Sequence, residues 1–474
     1  MKVKGGFLMY LFIFLGLILG ACLIIVAIML FSPGTSIFGL EWVGENSTGT
    51  YATYDGYFKE ISAYDTVTIN ALKHDANGNT IGYGYYDVDI RRADRDAVNS
   101  NVVVENKIQG LAKTADKTEF SIKFEESEDG KALTINVVQI NTWLASTGAS
   151  KITLNIPDEL NTSNVTFIVN TGSGSVDFGG DIGRDSEAFA LESKALTATT
   201  ESGSITLKEL TTASNAINLK TTSGAINLHA ESLTTREMSI ESASGHINLP
   251  ATINANTLTL ATDKGIIDGG NINANLTLNT QMGVVRLGNI NGNVIGTERL
   301  DGTDVKLGTI SGELGIPSAR NVNLEALSVG GFVNIVTEGG RIYIGSEDTG
   351  LNSRTNITTT SGEIKVYVEQ DNNQIINLTT KSGKITAFVA SSSGNKNFTT
   401  ENGKIDVTLS QSTSLDLISE TKGKIVLNWD ETNVSNNILY REIRGTDAFT
   451  GAIMKLKSNT GNMEFNRILN PEFN

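Results

Sequence analysis

The chain has 474 residues, with 37 Lys or Arg against 52 Asp or Glu, so its formal net charge is −15. With this charge, only 3 histidines and no basic run, the sequence excludes the electropositive surface that nucleic-acid binding needs. A single Cys excludes intrachain disulfides and metal sites built from several cysteines. The 39% apolar fraction and the abundance of Gly, Ser, Thr and Asn favour an all-β protein with tight turns.

The amino-terminal residues 1–6 precede an uncharged apolar run, Phe7 to Phe31. As an α-helix this run is about 37 Å long, which is enough to cross a bilayer with some tilt. Lys2 and Lys4 precede the run, so the positive-inside bias places residues 1–6 in the cytoplasm and the C-terminal domain outside the cell. The apolar core of a cleaved signal peptide is about 7 to 15 residues. We therefore predict a retained, single-pass transmembrane helix over residues 7–31 and a cell-membrane location.

Two further features lie within this apolar run. Leu19-Gly20-Ala21-Cys22 is similar to a lipobox, which would make Cys22 a lipidated amino terminus. The residues after Cys22 remain apolar, whereas a mature lipoprotein usually begins with a polar tether, so a helix cysteine is the preferred interpretation and lipidation stays open. Gly16 and Gly20 have the small-xxx-small spacing that permits close helix contact, which makes them a candidate site of homo-oligomerisation.

Residues 32–59 contain Pro33-Gly34 and Thr48-Gly49-Thr50 with little apolar periodicity, and are interpreted as an extracellular linker. Residues 60–165 show alternating strands around turn signals at Asn77-Gly78 and Asp129-Gly130, which are typical of β-hairpins. We interpret this segment as a β-rich N-terminal cap that covers the open strand edge of the domain after it.

From residue 166 onwards the chain repeats with a period of about 20 residues. An apolar residue stands two positions after each repeated glycine and another stands five before it, with polar residues alternating between. A unit of this length cannot bury its own apolar face, so neighbouring units must stack. The predicted turn glycines are Gly203, Gly224, Gly245, Gly265, Gly283, Gly340, Gly362, Gly383, Gly403 and Gly423. The predicted core ladder includes Ile205, Ile226, Ile247, Ile364, Ile385, Ile405 and Ile425.

This pattern predicts a parallel β-solenoid over residues 166–474, of about 20-residue rungs. Between Gly292 and Gly331 the period blurs, so we expect bulges or register changes there. We expect Ile443 to Phe473 to close the far end as a C-terminal cap.

Glycan-cleaving enzymes also use β-solenoids, and their chemistry needs carboxylates clustered on an outward column. Two positions before the turn glycines, no two neighbouring rungs both carry one. His74, His229 and His246 fall at unrelated positions, which argues against a shared metal site. The sequence therefore offers no catalytic, cofactor-binding or metal-binding residues.

The repeated phrase Thr-x-Ser-Gly-x-Ile-x-Leu, seen at Thr200–Leu207 and in shorter form at Thr222–Leu228, resembles that of the bacterial presumed-adhesin domains of unknown function called toastrack domains. Lys151–Pro157 is similar to the strand that precedes the first repeat in that family. The resemblance covers roughly residues 60–470 and implies an envelope-exposed β-repeat domain with an adhesive or scaffolding role and no catalytic residues. This chain departs from the family in its greater length and its blurred middle rungs.

We therefore expect a membrane-anchored surface protein that acts by binding or scaffolding through an unidentified protein or glycan ligand. The alternative is the ectodomain of an envelope-stress sensing system that binds a membrane partner. A glycan-cleaving enzyme is a third candidate.

Overall fold

The computed structural model of the protein describes residues 13–24, 36–37, 40–43, 50–55, 61–74, 79–92, 100–106, 108–113, 120–140, 144–147, 150–157, 160–179, 191–208, 211–346, 349–369, 373–429 and 432–468. The chain forms two compact units: residues 1–191 with 198–203, and residues 192–197 with 204–474.

The first elements are a helix over residues 13–24 and a short 3₁₀ helix, Ile61–Ala63. The strands up to residue 200 are β1 Ser36–Ile37, β2 Leu40–Val43, β3 Thr50–Asp55, β4 Thr66–His74, β5 Thr80–Tyr83, β6 Tyr86–Arg92, β7 Asn101–Asn106, β8 Ile108–Lys113, β9 Phe120–Glu126, β10 Ala132–Ile140, β11 Leu144–Thr147, β12 Ser150–Ile156, β13 Thr166–Asn170, β14 Val176–Phe178 and β15 Glu192–Thr200.

The remaining strands are β16 Ile205–Leu207, β17 Thr212–Thr221, β18 Ile226–Leu228, β19 Ser232–Thr234, β20 Glu237–Ser242, β21 Ile247–Asn248, β22 Thr252–Thr262, β23 Ile266–Asp268, β24 Asn271–Thr280, β25 Val284–Leu287, β26 Val294–Gly296, β27 Thr303–Ile310, β28 Leu314–Val329, β29 Val333–Ile344, β30 Thr355–Thr359, β31 Glu363–Val368, β32 Ile376–Thr380, β33 Ile385–Val389, β34 Lys396–Thr400, β35 Ile405–Leu409, β36 Leu415–Leu427, β37 Thr432–Ile443, β38 Ile453–Ser458 and β39 Met463–Arg467.

Two ladders organise the first unit. One contains β9, β10, β4 and β13 in spatial order, in which only β9 is antiparallel to its neighbour. The other contains β3, β7, β12, β6 and β14, in which β12, β6 and β14 are parallel and β7 is antiparallel to both of its neighbours. A separate antiparallel sheet has the order β1-β2-β8-β11. The expected hairpin at Asp129-Gly130 joins β9 to β10. Asn77-Gly78 lies outside the described residues.

The strand order in the first unit differs from the order in sequence. β10 and β12 follow β4 and β6 along the chain, yet β13 and β14 pair with β4 and β6. The residues expected to form a hairpin cap therefore also supply parallel rungs. The physical reason is burial on alternate positions of β4 and β6, where Val67, Ile69, Val88 and Ile90 all have at most 1% exposure, and strands in register on both sides of β4 and β6 continue this buried column.

In the second unit, one parallel ladder precedes each turn and a second follows it. The before-turn ladder contains β17, β20, β22, β24, β26, β28, β29, β30, β32, β34, β38 and β36. The after-turn ladder contains β16, β18, β21, β23, β25, β27, β28, β29, β31, β33, β35, β39 and β36. Strands β28, β29 and β36 run around the corner and so belong to both ladders.

Close stacking at the corners explains the glycines. A β-carbon on Gly265 would lie 2.5 Å from the Thr262 hydroxyl and would also collide with the Gly245 carbonyl, so a side chain is excluded by the neighbouring rung. Gly340 in addition has φ +95°, a left-handed conformation that favours glycine.

A buried hydroxyl supports these corners. The amide of Gly245 donates to Ser242 Oγ at 2.8 Å, and that hydroxyl donates to the carbonyl of Gly224 in the neighbouring rung at 3.0 Å. Each such hydroxyl satisfies one amide of its own turn, and where it donates it also links two rungs. Hydroxyls that accept from their own turn glycine are also found at Thr200, Thr221, Thr262, Thr359, Thr380, Thr400 and Ser458.

In the blurred middle the corner position is filled by other residues. Thr303 pairs with Val322, and Val322 pairs with Gly340, so these two stand in the glycine column. Strand β28 runs continuously through the corner, with a register shift between its pairs at Ile316 and Ala319. The irregularity expected between Gly292 and Gly331 therefore includes the corner of β28, which has no tight turn, and both ladders continue through it.

The far end of the second unit is threaded out of sequence. β38 and β39 lie between β34/β35 and β36, and β37 then pairs antiparallel with β36. The expectation that residues 443–473 close this end is wrong for β38 and β39, which form an inner rung. The hairpin of β36 and β37 lies outside them because an antiparallel strand cannot extend the parallel run.

Candidate functional site: an outward aromatic–lysine group

The outward face of the after-turn ladder presents one side chain per rung three residues after the corner. Strand alternation turns these positions away from the buried column. In spatial order this outward column contains Asp268, Arg286, Lys306, Glu325, Tyr343, Lys365, Thr386, Asp406 and Glu464.

Most charges along this column meet an opposite charge in the next rung. Arg286 lies 3.3 Å from Asp268, and Lys306 Nζ lies 3.0 Å from Glu325. Such exposed pairs contribute little to stability, about 0 to 1 kcal/mol each, but they neutralise the surface locally.

Aromatic rings surround Lys365 at the centre of the column. Its Nζ lies 5.9 Å from the ring centroid of Tyr343, 5.4 Å from that of Tyr367 and 5.8 Å from that of Phe388. Tyr367 and Phe388 belong to neighbouring rungs and stack with centroids 4.5 Å apart and planes 5° apart. We call these four residues the aromatic–lysine group. Cations over aromatic faces are favoured by the ring quadrupole.

Glu363, beside the group, is engaged with a tyrosine. The Tyr343 hydroxyl donates to Glu363 Oε2 at 3.0 Å. Burial raises the pKa of Tyr343, and the adjacent Glu363 carboxylate raises it further. The hydroxyl therefore stays protonated at neutral pH, and this carboxylate is directed towards Tyr343.

Next to the aromatic–lysine group, on the rungs of Gly383, Gly403 and Gly461, lies a cluster of charged side chains. Lys384 and Lys404 both lie 2.8 Å from Asp406, and Lys404 lies 2.7 Å from Glu464. Hydrogen bonds to Asp406 and Glu464 raise the pKa of Lys404, and the bond from Lys404 lowers the pKa of Glu464.

A buried lysine lies on the before-turn ladder. Lys396 has no exposed surface, and its Nζ donates to Ser391 Oγ at 3.2 Å, to the Gly394 carbonyl at 3.1 Å and to the Ser393 carbonyl. Burial lowers the pKa of Lys396 to about 8. The lysine holds the loop after β33 from inside the core.

The residues of the predicted glycine and isoleucine columns lie at the corners and in the core. Ile205, Ile226, Ile247, Ile364, Ile385, Ile405 and Ile425 each have 0% exposure. A β-carbon would contact a carbonyl of the neighbouring rung at Gly203, Gly245, Gly265, Gly283, Gly340, Gly362, Gly383, Gly403 and Gly423. Gly224 accepts at its carbonyl from Ser242.

At Gly423 the residue five positions before the glycine does not face the core. Five residues before Gly423 stands Ile418, but Ser419 is the residue that faces inward and pairs with Leu456. From Thr421 to Ile425, β36 advances one residue fewer than the neighbouring rung does from Ser458 to Met463, so the inward position lies one residue closer to the glycine.

The histidines lie apart from one another. His246 Nε2 lies 2.9 Å from Asp268, and His74 Nε2 lies 3.0 Å from the Thr80 hydroxyl. Within the described ranges there is no group of three or more His, Cys, Asp or Glu that could hold a metal ion.

The structure describes only part of the amino-terminal apolar run, as a helix over residues 13–24 that contains Gly16, Gly20 and an exposed Cys22. Residues 7–12 and 25–31 lie outside the described residues. Among the described helices, none has the length and apolar character to cross a membrane.

Sequence reasoning missed the aromatic–lysine group and the corner hydroxyls. Both leave a signal at fixed offsets. An aromatic or lysine residue stands three positions after Gly340 and Gly362 and five positions after Gly362 and Gly383, and Thr or Ser stands three before most of the turn glycines.

Comparison with protein families decides the identity of the repeat. The family described as Toastrack DUF4097 matches residues 81–438. The chain belongs to the Toastrack family. Comparison with curated proteins gives no match.

Several solved structures are similar to this Toastrack chain. A presumed cell adhesion protein from Clostridium sporogenes is 7% identical, with 88% of this chain and 99% of that chain covered and a TM-score of 0.17. A presumed adhesin from Parabacteroides merdae is 11% identical, with 67% and 97% covered and a TM-score of 0.27. A presumed adhesin from Bacteroides fragilis is 11% identical, with 88% and 97% covered and a TM-score of 0.20.

Proposed function

We propose that this Toastrack protein is a membrane-anchored surface protein that acts by binding, without enzymatic activity. The observation that carries the proposal is the outward column of the after-turn ladder, where successive rungs present side chains about 4.8 Å apart on an extended face. A surface of this kind suits a long or repeated ligand, because each rung adds a similar contact.

The apolar run from Phe7 to Phe31 supports the anchor. Lys2 and Lys4 precede it, and this bias supports an orientation with the solenoid outside the cell. The stacked rungs of the second unit supply the surface, and the anchor keeps it at the cell.

The orientation is tested by treating intact cells with external protease and probing for tags at both ends. We expect loss of the carboxy-terminal tag and retention of a short amino-terminal fragment. An amino terminus at Cys22 carrying an acyl chain would contradict the anchor and favour a lipoprotein.

The binding role is tested by comparing the attachment of cells with and without the protein to surfaces coated with envelope or host material. We expect attachment to fall when the protein is deleted and to return with the full-length chain. Unchanged attachment, together with cross-linking of the protein to one membrane partner, would instead favour a sensor.

A further inference from the structure

The aromatic–lysine group combines Tyr343 and Lys365 of the outward column with Tyr367 and Phe388, which lie two residues further along their strands, and its composition differs from that of the rest of this face. Three rings come together on the consecutive rungs of Gly340, Gly362 and Gly383. Single exposed apolar residues are common on protein surfaces, whereas contiguous clusters mark interaction sites. The rings also carry polar positions, because Tyr343 and Tyr367 each have a hydroxyl.

The charge of Lys365 distinguishes it from the other basic residues on this face. Arg286, Lys306 and Lys384 each lie within 3.3 Å of a carboxylate. In the described part of the chain, Lys365 has no carboxylate within ion-pair distance, and its ammonium is surrounded by aromatic rings. In a chain of net charge −15, this is a local cation available to an anionic ligand.

We propose that the aromatic–lysine group binds a sugar chain that carries carboxylates. Lys365 contacts the carboxylate, and Tyr367 and Phe388 pack against the apolar C–H groups of the sugar rings. The inference rests on the proposed function, because it names the class of ligand for that surface.

The linear arrangement of the site favours a polymer. Tyr343, Lys365 with Tyr367, and Phe388 lie on three consecutive rungs, about 4.8 Å apart, so a chain that runs along these rungs can contact all of them. Lys384 and Lys404 are already paired with Asp406 and Glu464, so Lys365 is the cation that contacts a ligand carboxylate. A uronic-acid polysaccharide provides both elements that suit the group: a carboxylate for Lys365 and sugar rings for the aromatic side chains.

Binding is measured by titrating the full-length protein in detergent with polygalacturonate, its fully methyl-esterified form and poly-glutamate. The methyl ester keeps the sugar rings and removes the charge, and poly-glutamate keeps the charge and removes the rings. We expect tight binding only to polygalacturonate. Equal binding of poly-glutamate or of the methyl ester would overturn the proposal.

Lys365→Met tests the cation, and we expect affinity for polygalacturonate to fall about tenfold or more. Lys306→Met is the matched control, since Lys306 lies in the same outward column but is paired with Glu325. Lys365→Arg retains the charge and is expected to retain binding. Thermal unfolding of all variants shows that the fold is kept; wild-type affinity in a folded Lys365→Met variant would contradict the inference.

The two proposals fail separately. If the protein mediates cell attachment but polygalacturonate does not bind, the ligand class is wrong and the binding role remains. If polygalacturonate binds in detergent but cells attach equally without the protein, the site is correct and the attachment role is wrong.

Discussion

Gly461 lies against Gly403, although Gly423 comes between them in sequence. A β-carbon on Gly461 would collide with the carbonyl of Gly403, and one on Gly423 would lie 2.6 Å from the carbonyl oxygen of Gly461. The end of the second unit therefore has the spatial order Gly403, Gly461, Gly423.

Engineered disulfides test this order, in a Cys22→Ser background. Asn397 and Lys455 are register partners in adjacent strands, about 4.8 Å apart, which suits a disulfide. We expect Asn397→Cys with Lys455→Cys to oxidise, as measured by thiol titration. Asn397→Cys with Ile418→Cys is the matched control, because Ile418 lies one rung further out and pairs with Lys455. Oxidation of the control pair alone would indicate threading in sequence order.

The corner hydroxyls are tested at Ser242. Ser242→Ala leaves the buried amide of Gly245 without its acceptor, so we expect a loss of about 1–3 kcal/mol in the free energy of unfolding measured with urea. Ser244→Ala removes a neighbouring exposed hydroxyl and is expected to change stability by less than about 0.5 kcal/mol. Equal effects of the two substitutions would contradict a special role for the buried hydroxyls.

At Ser419 we expect substitution to Ala to stabilise the fold, the opposite of its effect at Ser242. Its hydroxyl is buried and has no hydrogen-bond partner among the residues that the structure describes, so Ser419→Ala is expected to increase the free energy of unfolding by about 1 kcal/mol. Ser458→Ala, which removes a hydroxyl bonded to Gly461, is the contrasting variant and is expected to destabilise. A loss of stability in Ser419→Ala would show that the hydroxyl is satisfied in solution.

Lys396 makes stability depend on pH. Its pKa is about 8 in the folded protein and about 10.5 in the unfolded chain, so between these values the unfolded state binds more protons and stability rises with pH. Below about pH 8 both states are protonated and the contribution is constant. We expect wild type to gain about 2 kcal/mol relative to Lys396→Met between pH 7 and 9.5, measured by urea unfolding at each pH.

Comparing wild type with Lys396→Met cancels the contributions of other groups that titrate at high pH. Burial raises the pKa of Tyr86, so at high pH this tyrosine loses its proton in the unfolded chain first, which lowers the free energy of unfolding. This effect is the same in wild type and in Lys396→Met. If the free energies of unfolding of wild type and Lys396→Met changed in parallel with pH, burial would not lower the pKa of Lys396 in the folded protein.

The periodic part of the fold was predictable because stacking imposes the same requirement on every rung. Glycine recurs where neighbouring backbones touch, and Ile226, Ile247 and Ile267 recur where the core is continuous. Val322 escaped prediction because β28 continues around its corner without a glycine, and Thr303 escaped it because the glycine at that corner, Gly302 with φ +63°, stands one residue earlier.

Strand order at the ends was not predictable from the repeat. Gly423 and Gly461 have similar flanking residues, so the pattern assigns both to rungs without saying which is inner. The aromatic–lysine group was missed for a different reason: Tyr343, Lys365 and Phe388 each fit an exposed strand position, and their meeting depends on the register between rungs.

The position of β38 and β39 has a consequence for biosynthesis. These strands leave the ribosome after β36 and β37, yet they occupy the rung between β35 and β36. The β36–β37 hairpin therefore reaches its final place only after β38 and β39 have been made. A nascent chain that ends before Ile453 leaves the edges of β34 and β35 unpaired and the hairpin undocked. Completion of this end thus requires translation through β39, and products that end before Ile453 expose the strand edges that proteases and chaperones recognise.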